Sequence, residues 1–271
     1  MLKERIITAL CLFVVLAILL AFASVSLFAF CLSLIVAAAA WEWSRLCGVV
    51  NDNAQVIYAI VVGAVTLVCL YSPLVSSAIV VSMLIGLIFW LCVPIQFYLT
   101  PVLKPVSEPA SVWLLVGILV LPIAALSIQY LRSYAGTDSN VLLLYALGVV
   151  WVMDIGAYFS GRQFGKRKLA PLISPGKSWE GVYGGVACAG LLFLLSLVFV
   201  DWPAGSFYKL LVATIFAAVA SVLGDLFESR LKRAANMKDS SQLLPGHGGV
   251  LDRLDGVIAA LPVFAFFWSW M

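Results

Sequence analysis

Residues 6–40 read IITALCLFVVLAILLAFASVSLFAFCLSLIVAAAA, and no side chain among them carries a charge. A helix crossing the hydrocarbon core of a bilayer needs about 20 apolar residues, so the run is long enough for two passes. Almost nothing separates the two halves, which form either a tight helical hairpin or one long helix broken near Ala23-Ser24. The basic start, Met1 to Arg5, with the apolar run and Ala21-Phe22-Ala23, also resembles a secretory signal with a small-residue cleavage site. A second apolar stretch then stands where a soluble mature domain would begin, so an uncleaved anchor is expected.

The rest of the chain has the same character. Hydrophobic residues make up 64% and charged residues 11%, with a mean hydropathy of +1.12; a soluble domain has about 25% charged residues. Apolar segments of spanning length recur over 6–22, 24–40, 55–71, 74–93, 112–131, 141–160, 181–200, 207–226 and 256–271. The expected fold is all-α, a polytopic integral membrane protein of about nine transmembrane helices. With the N-terminus in the cytoplasm, Lys3, Arg5, Arg45, Lys104, Arg162, Lys166, Arg167, Lys168, Lys177, Arg230, Lys232, Arg233, Lys238 and Arg253 all fall inside. Only Arg132 and Lys209 fall outside, the bias that the positive-inside rule describes. The expected location is the cytoplasmic (inner or plasma) membrane, with the charged loops facing the cytoplasm. Cys11, Cys31, Cys47, Cys69, Cys92 and Cys188 stand singly in apolar segments without CxxC spacing and read as packing residues. No nucleic-acid partner is expected.

Polarity divides the chain unevenly. The acids of residues 1–140 (Glu4, Glu42, Asp52, Glu108 and Asp138) lie near expected helix ends or in loops, which reads as an N-terminal anchoring half. Residues 141–271 read as a catalytic half with cytoplasmic loops at 160–181 and 226–256. No internal repeat is visible, which counts against the inverted-repeat architecture of many transporters. Gly181 and Gly185 have GxxxG spacing, which suits close helix packing or a homodimer contact, and packing is the expectation.

The densest concentration of charge is Gly224 to Asp255, GDLFESRLKRAANMKDSSQLLPGHGGVLDRLD. If the eighth span continues past Asp225 as a helix, Asp225, Ser229 and Lys232 share one face with Glu228 beside them. A carboxylate at a membrane edge is costly unless paired or bound to a cation; a structural pair with Arg253 is the plainer alternative. Pro245-Gly246-His247-Gly248-Gly249 breaks any helix and delivers Asp252 and Asp255 to the start of the last span. Acids there are favoured by the helix dipole and suit a hard divalent ion such as Mg2+. The glycines let backbone amides approach a phosphate. His247, the only histidine, reads as a phosphate donor or loop brace, since no hydrolase nucleophile motif accompanies it. Asp154, inside the sixth span, is expected to face the same site. The basic loop SGRQFGKRKLAPLISPGKSWEG (160–181) offers Lys177 and Ser178, but Pro171 stands where a Walker A loop requires Gly. That loop is equally suited to anionic lipid.

Ser229-x-Leu231-Lys232-Arg233, Lys238-Asp239 and Leu244-Pro245-x-His247-Gly248-Gly249-Val250-x-Asp252-Arg253-Leu254-Asp255 resemble the signature of the phosphatidate cytidylyltransferase (CDP-diacylglycerol synthase) family. DIGAYFSGRQFGKRKLAPLISPGKSWEG, from Asp154 to Gly181, is similar to that family's second block, with Ser178 where Thr is frequent. The resemblance is specific over about residues 151–256.

It implies transfer of a cytidylyl group from CTP to phosphatidic acid in the bilayer, giving CDP-diacylglycerol and pyrophosphate. The expected catalytic residues are Asp225, Asp252, Lys232, Arg233 and Arg253, with Asp225, Asp252, Ser229 and Asp255 around Mg2+. The resemblance adds a second cation, for which K+ is the candidate. Lys177, Ser178, Lys238, His247, Gly248 and Gly249 are expected to meet the nucleotide. Competing readings are a CTP-using transferase or kinase for another lipid, such as a polyprenol, and an ion or anion transporter using the same carboxylates.

Overall fold

The computed structural model describes residues 2–99, 110–133 and 139–270. Lys104, Glu108 and Asp138 lie outside the described residues, as do the side chains of Lys3, Glu4 and Arg5. Nine helices occupy the described segments: α1 (Leu2–Phe22), α2 (Val25–Leu46), α3 (Asp52–Tyr71), α4 (Pro73–Leu99), α5 (Ala110–Ser133), α6 (Ser139–Phe164), α7 (Trp179–Phe199), α8 (Phe207–Ala234) and α9 (Leu251–Trp270). The molecule is an all-α polytopic membrane protein. Seven of the helices, α2 to α8, are long and apolar enough to cross a membrane, and α1 adds a shorter apolar run, Ile6–Phe22.

The uncharged run of the N-terminus is a hairpin. Ser24 accepts the Leu27 amide at 3.1 Å and caps α2, which satisfies one of the orphan donors of a helix start. On the other side of the break, Arg132 of α5 donates to the carbonyls of Leu19 (3.3 Å) and Ala23 (2.6 Å), and Asn140 of α6 donates to Leu20 at 3.3 Å. These donors take up the carbonyls that end α1. The end of α2 and the starts of α5 and α9 gather at one end of the bundle, as the ties Trp43 to Trp113 and Glu42 to Leu251 record. Arg45, Lys177, Lys232, Lys238 and Arg253 belong to that end, while Arg132 holds the opposite one.

α9 differs from the other helices. Asp252, Arg253 and Asp255 open it, and every residue from Gly256 to Phe266 is buried. It packs against α2, α4, α5, α6 and α8, and a helix that is apolar all round belongs in a core. Residues from both sides of position 140 therefore share one core, which runs from Leu20 to Trp268. Below the charged end, Phe227 of α8 is ringed by Trp43, Phe89, Trp90 and Trp113, with centroids 5.6–6.0 Å away; this is the offset and edge geometry aromatic rings prefer.

The two expected loops are shorter than 160–181 and 226–256. α6 runs on to Phe164 and α8 to Ala234, the latter supported by Ser229 donating to Asp225 at i, i+4 and by the Lys232–Glu228 pair. The basic loop is also not irregular throughout. It folds as a hairpin of β1 (Lys168–Ala170) and β2 (Ser174–Ser178). Glu180, in the first turn of α7, fastens it by accepting the Lys166 and Arg167 amides and the Arg167 guanidinium, each at 3.1 Å. Gly181 and Gly185 face α6, against Ala157 and Met153. The GxxxG face is thus filled within the chain.

Candidate active site

Two groups of charged side chains form at this end of the bundle. The first is built around the Gly-rich turn. The Leu244 amide donates to Gly248 O at 2.8 Å and the His247 amide to Leu244 O at 2.9 Å, and Gly248 takes a φ of +83° that side-chain-bearing residues rarely adopt. Asp252, in the first turn of α9, then receives donors from three directions. Its Oδ2 accepts the Gly249 amide (2.7 Å) and the Ser240 amide and hydroxyl (both 3.0 Å), while Lys232 Nζ stands 2.6 Å from its Oδ1. Burial opposes the charge on Asp252, but the Lys232 ammonium and the two amides outweigh it and hold the carboxyl below its ordinary range. Lys232 also stands 2.5 Å from Glu228, so one ammonium serves two carboxylates.

The second group lies where α8 meets the hairpin. Lys177 of β2 pairs with Asp225 Oδ2 at 2.5 Å, and Ser229 donates to Asp225 Oδ1 at 3.2 Å. Asp154 of α6 and Asp255 of α9 lie within electrostatic reach of Asp225 and Lys177. The partner of Asp225 is therefore Lys177 and not Arg253, which instead donates to His247 O at 3.1 Å. A cavity of about 490 Å³ opens beside this group, lined by Asp154, Arg162, Gly176, Lys177, Ser178 and Asp225 among others. A second cavity, of about 720 Å³, is lined by Lys238, Asp239, Gln242, the turn from Leu244 to Gly248, and Arg253.

The remaining expected site residues take local duties. Ser178 is buried and caps α7 by accepting the Gly181 amide at 3.2 Å. Arg233 reaches Ile173 O (3.4 Å) and Met237 O (3.3 Å), bracing the hairpin against the end of α8. Gly249 packs so closely that a Cβ there would run into Ser240 Oγ and Glu42 Oε1.

The expected ligands of Mg2+ split between the two groups. Among the described residues, no three His, Cys, Asp or Glu side chains converge in metal-ligating geometry. The chemistry of the donors still fits a hard cation: carboxylates and a Ser hydroxyl, with an ammonium standing against Asp225. Asp252 Oδ1, with Lys232 as its partner, keeps a lone pair for a further ligand.

One residue of this site was not among the expected ones. Glu42 of α2, fully buried, accepts four hydrogen bonds from the segment 240–251. The signal for it was the rule applied to Asp154 and Asp225, that an acid in a membrane helix marks a site.

A sequence model of the cytidylyltransferase family matches residues 3–271. The chain is 41% identical over 268 residues to the phosphatidate cytidylyltransferase of Pseudomonas aeruginosa, covering 98% of this chain and 96% of that one. It is 55% identical over 133 residues to the Haemophilus influenzae enzyme of the same name, covering 47% and 45% of the two chains. The Staphylococcus haemolyticus enzyme of that name is 43% identical over 145 residues, covering 53% and 55%.

Proposed function

The chain belongs to the cytidylyltransferase family, and we propose on that basis that it transfers the cytidylyl group of CTP to phosphatidic acid, giving CDP-diacylglycerol for phospholipid synthesis. An oxygen of the phosphatidate phosphate attacks the α-phosphorus of CTP. The bond from that phosphorus to the bridging oxygen breaks, and pyrophosphate leaves with the electron pair. The nucleophile is a phosphate monoester that is mostly ionised at neutral pH, with a second pKa of about 6, so little proton abstraction is required. Positioning and charge neutralisation carry the rest, as in other phosphoryl transfers.

This chain's own residues supply both. Lys177 and Arg162 line one cavity and Lys238 and Arg253 the other, so cations border each place where a polyphosphate or a lipid phosphate fits. The amides of the Gly-rich turn add donors. Asp225 and Asp255 with the Ser229 hydroxyl, in the second group, would hold Mg2+, which neutralises charge on the triphosphate; Asp252, in the first group, offers a further carboxylate oxygen, and the family resemblance adds K+ beside the Mg2+. The charged end faces the cytoplasm in this reading, where CTP is dissolved and where the distribution of Lys and Arg puts it. Phosphatidate reaches the site from within the bilayer of the cytoplasmic membrane.

The single observation that carries the reading is the match over nearly the whole length to an enzyme of this activity, in a chain whose cations and carboxylates meet at one end. The test is incubation of purified protein with phosphatidate and CTP labelled at the α or the γ phosphate, with and without Mg2+. Mg2+-dependent α label in lipid is expected. Only γ label in lipid would indicate a kinase, and solute flux without CTP turnover a transporter. Asp252→Asn is expected to abolish product while the protein still inserts in the membrane; near-normal turnover would remove Asp252 from the site.

A further inference from the structure

Glu42 lies in the half of the chain that carries no part of the family signature, yet its carboxylate is bonded on both oxygens to the loop that does. Oε1 accepts the Ser241 hydroxyl (2.5 Å) and the Val250 amide (2.9 Å); Oε2 accepts the Ser240 hydroxyl (3.0 Å) and the Leu251 amide (2.6 Å). Ser240 and Ser241 precede the Gly-rich turn, and Val250 and Leu251 follow it. One side chain therefore pins both ends of the turn to α2. Arg45, one position short of a helical turn further on, strengthens the same attachment by donating to Ser240 O at 3.3 Å.

The choice of a carboxylate is chemically specific. An ionised carboxylate only accepts hydrogen bonds and has room for four, whereas the amide of Gln would turn two donors toward donors. The two amides it takes also belong to the opening of α9, where the helix dipole favours a negative charge. The consequence is passed to the reacting end of the site. The one hydroxyl proton of Ser240 is shared between Glu42 Oε2 and Asp252 Oδ2, each at 3.0 Å, and the amides of Ser240 and of Gly249, the latter packed on Glu42, donate to Asp252 Oδ2.

We propose that Glu42 is a positioning residue for cytidylyl transfer: it presets the segment 240–251, and through Ser240 and Gly249 it fixes where Asp252 and Arg253 stand before the substrates arrive. This rests on the reading of the preceding section. A preset site meets the developing charge without reorganising at each turnover. A brace that served stability alone would weaken the fold everywhere and leave the chemistry of the folded molecules unchanged.

The experiment compares wild type with Glu42→Gln, Glu42→Asp and Ser241→Ala as purified full-length proteins, measuring kcat, the KM for CTP, and hydrogen exchange of backbone amides. For Glu42→Gln, kcat is expected to fall about 10- to 100-fold, the range seen when supporting hydrogen bonds of a site are removed, with a much smaller change in KM. Exchange is expected to quicken in 240–251 and to stay unchanged in α5 and α6. Glu42→Asp, which keeps the charge but is shorter by a methylene, is expected to recover part of kcat. Ser241→Ala removes a single donor and is expected to show the same pattern more weakly, which provides a test should the Glu42 variants fail to fold.

Wild-type kcat in folded Glu42→Gln, or in Ser241→Ala if that is the variant obtained, overturns the proposal, and so does uniform acceleration of exchange across the molecule. If wild-type protein makes no CDP-diacylglycerol from CTP and phosphatidate, it is the proposed function that fails, and the exchange pattern still reports on Glu42 itself.

Discussion

Lys232 bridges two buried carboxylates, and its own side chain is only 12% exposed. Removing one partner of a buried charge pair leaves the others uncompensated, at a cost of about 3–5 kcal/mol. Lys232→Met is accordingly expected to lower the thermal unfolding temperature in detergent and to abolish turnover; full stability would show that Glu228 and Asp252 do not depend on the ammonium. Lys177 is different, since its partner Asp225 borders an open cavity. Lys177→Ala is expected to raise the KM for CTP about tenfold or more, the equivalent of about 1.4 kcal/mol, with little loss of stability. The pairing of Asp225 with Ser229 was legible from their spacing of four on one helix. The pairings of Asp225 with Lys177 and of Glu42 with Ser240 were not, because neither lies within a helical turn of its partner. Glu42 in particular, set between Trp41 and Trp43 close to a helix end, looked like an ordinary interfacial acid until its four donors came into view.

At the scale of elements, apolar runs in the sequence located every helix, because burial in lipid demands continuous helical hydrogen bonding. Helix ends were less legible, since α6 and α8 continue as polar helices beyond the apolar stretch, α8 held there by side-chain pairs that hydropathy ignores. The β-hairpin was likewise hidden in a run of Lys, Arg, Pro and Gly. Its attachment through Glu180 depends on a residue of the following helix. Gly249 has no room for a side chain, so Gly249→Ala forces Ser240 and Glu42 aside. That variant is expected to lose most of its activity while its helix content, read by circular dichroism, stays unchanged. Ser178→Ala removes the α7 cap and is expected to cost about 0.5–2 kcal/mol, read as a lower unfolding midpoint.

For the molecule as a whole, helices from both sides of residue 140 pack into one core. α9 is enclosed by helices from both sides of that position. At the end opposite the site, Arg132 ties α5 to the end of α1 and covers the ring of Phe28 at 4.2 Å. Arg132→Met is expected to destabilise the protein by about 1–3 kcal/mol through the carbonyls left unpaired, while kcat of the folded fraction remains that of wild type. A drop in kcat at constant stability would mean that the two ends of the bundle communicate.

The tie between Glu42 and Ser240 spans 198 positions of sequence. During synthesis, when the N-terminal part emerges first, α2 is made long before any of the donors that its carboxylate needs. The Gly-rich turn is fastened at both ends only once the opening of α9 has been made, because Val250 and Leu251 supply two of those donors. A ribosome halted between Ala234 and Ser240 therefore holds a chain with α1 to α8 made and an unanswered acid in α2.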